Sequence, residues 1–286
     1  MAPIRPKRLS PPAQPETTAW PLSTATTLGA SAKTSEQHAP SQFDGKIFGA
    51  HGRVYDSHTP LNDVPGTRPQ PGTQPPRGME EHYGREGKMF FVNGVQNLPE
   101  DLLASVQALA DRTGSEVVGI YNAADPHAGD RERVFDDKLG MAGTPATHTL
   151  AKGIYAELEG GRSPHLVAHG QGVNITSNAL TAVRQQLIRE GRSPAEAEKA
   201  LSSIKVETYG STAKRFPDGP KYLHYMNLSD FIAADVGGPH HLFGHAGRGA
   251  RLHTFDSGWP LISHGFANPY LTERTPFDPA YSAPER

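Results

Sequence analysis

No cysteine occurs anywhere in the 286 residues. That excludes a disulfide framework, thiolate metal ligands and a thiol nucleophile. An excess of one charge is lacking too: 28 Lys and Arg face 30 Asp and Glu, a formal net charge of −2. Nucleic-acid binders of this size carry a basic face, so nucleic acid is not an expected partner. No run approaches the roughly 18 apolar residues of a membrane-spanning helix, and none is expected. The start, Met1-Ala-Pro-Ile-Arg-Pro-Lys-Arg-Leu9, is basic but leads into no apolar core, which argues against a Sec-type signal peptide.

Glycine and proline are abundant instead, at 30 and 26 residues, about a fifth of the chain. The prolines are unevenly spread, with 13 of the 26 before residue 77. Residues 1–42 are rich in Pro, Ser, Thr, Ala and Gln, and residues 43–87 add a few aromatic anchors, Phe43, Phe48 and Tyr55, among Pro and Gly, for which partial packing on the domain is expected. Such a tract buries too little apolar surface to offset its ordering entropy. The reading is therefore a disordered or loosely packed tail over residues 1–85, followed by one folded domain over residues 86–286.

From Lys88 the texture changes. Met89-Phe-Phe-Val92 predicts a buried strand and Asn93-Gly94 a turn. Asn97-Leu-Pro-Glu100 reads as a capping box with Asn97 as N-cap, opening a helix whose apolar face is Leu102, Leu103, Val106, Leu109 and Ala110. Glu116–Tyr121 predicts a second strand, completing a β-α-β unit. Thr149–Glu159 and Val173–Arg189 have helical spacing, and Ser193-Pro-Ala-Glu196 is a second capping box. Short strands are predicted at His165–Ala168, Ile204–Thr208, Lys221–Met226 and Arg251–Phe255. The alternation predicts an α/β fold, a mostly parallel sheet flanked by helices.

In such sheets function gathers at the carboxyl ends of the strands. There the sequence places Asn93-Gly94-Val95-Gln96, His169-Gly170-Gln171-Gly172, Asn227-Leu-Ser-Asp230 and Ser263-His264-Gly265. The segment Leu166-Val-Ala-His-Gly-Gln-Gly-Val173 resembles the nucleophile elbow of the α/β-hydrolase superfamily, in particular its bacterial lipase- and esterase-like members, where the turn is often His-Ser-Gln-Gly. It matches at every position but one: Gly170 stands where those proteins have the nucleophilic serine. The resemblance covers about residues 88–270. It implies Asp230 as the acid, His264 as the general base, and oxyanion-hole N–H groups at Gln171 and around Val95. One departure is that Thr208 to Lys221 is too short for the crossover helix usual in that family, which leaves the strand order there open.

Other readings of the same residues stand beside these. Gly170 also fits a plain strand-to-helix turn. Asp230 competes with a role as cap of Phe231–Asp235, and Asp235 is a rival carboxylate; His253 is the rival of His264. Ser177 lies about two helical turns, ~10 Å, beyond the elbow and does not replace a nucleophile there. His241 and His245 are spaced i, i+4, but Gly237–Gly249, which also holds His240, reads as a loop over the site mouth, so no metal is expected. Arg248 and Arg251 fit a phosphate or carboxylate head group, or plain solvated surface. No cofactor is implied.

The resulting expectation is a lipase- or esterase-like protein impaired at its nucleophile position: a pseudoenzyme, with an acyl-ester or lipid ligand or a partner or host protein. Its alternatives are an active hydrolase using water or another nucleophile, and a non-catalytic interaction module. The tail composition resembles the leaders of bacterial effectors exported by specialised secretion; a cytoplasmic location is the alternative.

Overall fold

The structure is a computed structural model that describes residues 40–73, 88–95, 97–123, 143–213, 215–231, 246–258 and 263–283. Eight strands form one sheet: β1 (Ile47–Phe48), β2 (Val54–Tyr55), β3 (Lys88–Val92), β4 (Glu116–Ile120), β5 (His165–His169), β6 (Lys205–Tyr209), β7 (Lys221–Asn227) and β8 (Arg251–Phe255). Their order across the sheet is β2-β1-β4-β3-β5-β6-β7-β8. From β4 to β8 every neighbour is parallel, and β1 runs antiparallel to both β2 and β4. The expected α/β class, a mostly parallel sheet flanked by helices, is what the chain adopts.

Both faces are covered, as the strand sequences require. Side chains alternate along a strand, so Phe90 and Val92 of β3 join one apolar cluster while Met89 and Phe91 join the other. On the first face lie α2 (Pro145–Glu159), α3 (Gly172–Arg189) and α4 (Pro194–Leu201), through Leu150, Ile154, Leu180 and Leu201. On the second lie α1 (Pro99–Thr113) and the short α5 (Phe277–Ser282), through Leu102, Val106 and Phe277.

Three sequence expectations need correction or completion. First, the domain begins well before residue 86. Ile47, Leu61 and Val64 are buried in one cluster and Phe48 and Val54 in the other, so residues 42–73 belong to the fold. Their apolar residues come singly or in pairs between Pro and Gly, and two-residue strands leave no period to read. Residues 1–39 and 74–87, the rest of the expected tail, lie outside the described residues. Second, the first capping box is one residue later than expected. Leu98 is the N-cap, and its N–H donates to the Asp101 carboxylate at 2.8 Å. The Asn97 carbonyl accepts instead from the Tyr121 hydroxyl at 2.7 Å. The Ser193–Glu196 box opens α4 as read. Third, the short link from β6 to β7 crosses without a helix among its described residues, and the two strands are parallel neighbours. Polar groups on α3 hold this extended crossover: Asn174 donates to the Thr212 hydroxyl and Ser177 to the Arg215 carbonyl.

Beneath the sheet a buried ionic cluster anchors the C-terminal segment. Arg274 donates Nε to Oε2 of Glu207 at 2.9 Å and Nη2 to Oε1 at 2.8 Å. His165 Nε2 donates to Oε1 at 2.7 Å, and the Tyr209 hydroxyl to Oε2 at 2.6 Å. Burial alone would raise the Glu207 pKa, but the Arg274 charge and the bonds from His165 and Arg274 hold it well below the carboxylate range. A depressed folded pKa contributes stability that is present above the unfolded value and lost as the pH falls through the folded one. Arg274→Ala leaves the Glu207 charge buried with its main cation gone, so urea unfolding is expected to show a loss of about 3–5 kcal/mol at neutral pH. The deficit shrinks as the pH drops below the ordinary carboxylate range; one that stays constant with pH would sink this account.

Candidate active site

The centre of the site is the turn from β5 into α3. Gly170 follows β5 with φ of +55°, and its N–H donates to the Tyr209 carbonyl at 2.9 Å, extending the β5–β6 ladder by one step. Gln171 is the N-cap of α3, where the unpaired N–H groups of a first helical turn gather. Gly172 starts the helix so close to β3 that a Cβ there would come within 2.4 Å of the Val92 carbonyl oxygen. A larger residue would push α3 off the sheet.

Across from the turn stands the loop after β3. Gly94 Cα lies 3.6 Å from the point a Cβ on Gly170 would occupy. The Asn93 side chain fixes this loop: its Oδ1 accepts from the Asn122 N–H at 2.8 Å, and its Nδ2 donates to the Asn122 and Gly94 carbonyls. Val95, one residue on, has its side chain in solvent, so any role in the site belongs to its backbone. Asn122 Nδ2 also reaches the Gln171 side chain at 3.2 Å, tying the two proposed oxyanion-hole segments to the end of β4.

Asp230 and His264, 34 residues apart in sequence, meet beside Gly170. Asp230 lies just beyond β7 and is 1% exposed. Its Oδ2 accepts from His264 Nδ1 at 2.7 Å and from the Tyr270 hydroxyl at 2.6 Å. With the Nδ1 proton given to Asp230, the ring's other nitrogen, Nε2, is turned toward the elbow. That atom lies 3.1 Å from the Cβ position at Gly170. Carboxylate, imidazole and turn thus stand in the order a hydroxyl nucleophile would require, and the turn carries no side chain.

Residues given no role of their own in the sequence reading complete the setting. His169 packs its ring 4.7 Å from that of His264 and donates Nε2–H to the His264 carbonyl at 2.7 Å. Burial, and then the neighbouring His264, push its pKa down to about 3, so it stays neutral. Tyr270 is held far above the usual phenol range by burial and by its bond to Asp230, and remains a donor. Asn227 donates to the Ser263 carbonyl at 3.0 Å and to the Ser257 hydroxyl at 2.8 Å, joining the Asp230 turn to the His264 segment. His169 stood inside the elbow motif and was legible there; Tyr270 and Asn227 carry no local signal.

The rival residues fall elsewhere. His253 lies half-buried on the edge strand β8, against Tyr225. The Ser177 hydroxyl is taken by the Arg215 carbonyl. Arg248 pairs with Asp218 at 2.9 Å and approaches Glu198 at 3.5 Å, and Arg251 Nε donates to the Tyr281 carbonyl, so neither faces the site. Asp235, His240, His241 and His245 lie outside the described residues. Among the described residues no group of His, Asp and Glu could hold a metal ion, and no helix is long and apolar enough to cross a membrane.

No family model and no curated protein matches the chain. Among solved structures, the zinc-bound form of a cold-adapted esterase from an Arctic intertidal metagenomic library is similar at 13% identity over 61% of this chain and 75% of that chain, with a TM-score of 0.29. A native structure of the same description gives 13% identity, 64% and 78% coverage, and a TM-score of 0.27. Overlap this small leaves any functional assignment to the residues themselves.

The Asp230–His264 pair fits only because position 210 has no side chain. Gly210 has φ of +56°, and a Cβ there would lie 3.0 Å from His264 Cε1 and 3.1 Å from Asp230 Oδ2. Gly210→Ala therefore combines a left-handed backbone with crowding of the pair. Denaturation is expected to show a loss of about 1–2 kcal/mol, with a shifted His264 imidazole resonance by NMR. An unmoved resonance would show that the pair does not depend on this space.

Proposed function

We propose that the protein is an α/β-hydrolase-like, lipase- or esterase-type protein whose nucleophile position is held by Gly170, so that it recognises an acyl or lipid ligand without covalent turnover. The supporting observation is the approach of His264 Nε2, backed by Asp230, to 3.1 Å from the Cβ position at Gly170. In a serine hydrolase that nitrogen removes the hydroxyl proton as the oxygen attacks, while N–H groups near the helix start receive the oxyanion. Glycine offers no attacking atom.

The intact pair also favours a second, weaker reading. His264 can act as general base toward water, which then attacks a bound ester directly. Removing the nucleophile of a complete triad costs on the order of 10⁶ in kcat, so this route is slow. The Pro- and Ser-rich composition of residues 1–42 supports a further part of the proposal, export as an effector by a specialised secretion system.

The test is to supply the missing oxygen. Gly170→Ser is expected to raise p-nitrophenyl ester hydrolysis by roughly 10²-fold or more over the unaltered protein, and a second change, His264→Ala, to abolish the gain. Tyr270→Phe in the serine background removes a donor to Asp230 Oδ2 and should lower kcat by about tenfold while leaving KM nearly unchanged. A serine variant as inactive as the parent would refute the proposal.

A further inference from the structure

We propose that a cavity walled by α3, α4 and the β6–β7 crossover is a second ligand site, which binds a phosphomonoester carried on a small organic molecule or a lipid. Arg248, a head-group candidate in the sequence, lies in its wall. The cavity holds about 600 Å³, within the range that accepts a small organic ligand. Arg184, also in the wall, stands roughly 18 Å along α3 from Gly172. The proposal is therefore independent of how the elbow is read.

The cavity lies where the crossover carries no helix among its described residues, and its walls are tied in place. Phe216 is 7% exposed and packs on the rings of Tyr222 at 5.3 Å and His224 at 4.7 Å. The Tyr222 hydroxyl donates to the Pro217 carbonyl at 2.8 Å, and His224 Nε2 donates to the Ala246 carbonyl at 3.0 Å. Gly247 has φ of +88° and lies so close to Tyr222 that a Cβ there would come within 2.5 Å of the ring. Asp218 then joins the crossover to the loop before β8. Its Oδ1 accepts from the Arg248 backbone N–H at 2.8 Å and its Oδ2 from Arg248 Nη2 at 2.9 Å. Walls fixed in advance lower the ordering cost of binding.

The lining has more donors than its own acceptors use. Its charged residues are Arg184, Arg215 and Arg248 against Glu198 and Asp218, one positive charge in excess. Glu198 Oε1 accepts from Arg184 Nη2 at 2.8 Å, and its Oε2 is approached by Arg248 Nη1 at 3.5 Å. Both Asp218 oxygens are held by Arg248. Each carboxylate oxygen thus faces an arginine already. Among the described residues the exposed Arg215 has no ion pair, and Arg184 meets Glu198 through Nη2 alone. A ligand that completes this lining brings acceptors and negative charge. A phosphomonoester has three acceptor oxygens and about 1.5–2 negative charges near pH 7, and its geometry suits the planar guanidinium fork. A carboxylate brings only two oxygens and one charge. The volume is more than a phosphate group fills, so the rest of the ligand lies in the cavity as well.

The experiment is calorimetric titration of the full chain with glucose 6-phosphate, glucose and glucuronate at fixed ionic strength. A parallel arm measures sedimentation of the protein with phosphatidylcholine vesicles, with and without phosphatidic acid. The expected result is glucose 6-phosphate binding at least roughly tenfold tighter than glucose or glucuronate. Arg215→Gln should weaken it about tenfold and Arg215→Glu abolish it. Arg215 is exposed, so both variants are expected to keep the melting temperature of the parent. Arg53→Gln removes the same charge just before β2, at the opposite edge of the sheet, and should change affinity by less than about twofold. Sedimentation that requires phosphatidic acid and is abolished by Arg215→Glu, without binding of the soluble phosphate, supports the site with a lipid as the source of the group. Binding of neither phosphate source overturns the inference. So does glucuronate bound as tightly as the phosphate, a preference that survives Arg215→Glu, or one lost equally in Arg53→Gln.

Discussion

Asp230 is a carboxylate taken almost wholly out of water, and the rest of the site follows from what makes that tolerable. A buried carboxylate without partners would take up a proton or destabilise the fold by several kcal/mol. Among the described residues two donors meet one of its oxygens, the His264 imidazole and the Tyr270 hydroxyl. The first fixes His264 Nδ1 as the donor and leaves Nε2 turned toward the elbow. The direction in which Nε2 points is then set by the backbone: Asn227 ties the two loops together, and His169 holds the His264 carbonyl.

The sheet delivers these groups to one place because parallel strands end on the same edge. β3, β5, β6 and β7 are consecutive neighbours in that part of the sheet, and each ends in a residue of the site: the Asn93–Gly94 turn, Gly170, Gly210 and the Asp230 turn. Two glycines along this edge act through close approach. At Gly172 a side chain would meet the β3 carbonyls, and at Gly210 it would meet the Asp230–His264 pair. The site is a set of distances that larger residues would open.

Much of this was readable from residues in order, and what was not has identifiable reasons. The central strands and long helices announced themselves through alternation and helical spacing, because burial on a regular element writes its period into the sequence. Gly170, Asp230 and His264, which the structure brings together, were singled out because each follows a predicted strand, where a parallel sheet puts its functional loops, and because the turn at Gly170 resembles a hydrolase elbow. The short strands β1 and β2 left only the isolated anchors Phe48 and Tyr55, since two residues such as Ile47 and Phe48 form no period. The first helix cap was misplaced by one residue because Asn97 and Glu100 have the right chemistry, while Leu98 with Asp101 meets the geometry without a capping side chain. Tyr270 stayed invisible, since a tyrosine that steadies a carboxylate 40 residues away looks like any core aromatic.

The fold contains its own control for the meaning of a histidine beside a buried carboxylate. His165 and Glu207 are 2.7 Å apart, the same separation as His264 and Asp230. Around Glu207 the guanidinium of Arg274 and the Tyr209 hydroxyl use the remaining lone pairs, and His165 is 3% exposed with its Nδ1 buried and without a hydrogen bond. Nothing can reach that second nitrogen, so the cluster can only hold the chain together. The His264 side chain is 21% exposed, and its second nitrogen faces the space beside Gly170 at the open end of the sheet. A histidine–carboxylate pair at the same distance thus occurs twice, through Nε2 at Glu207 and through Nδ1 at Asp230, and what separates the two is access to the second ring nitrogen.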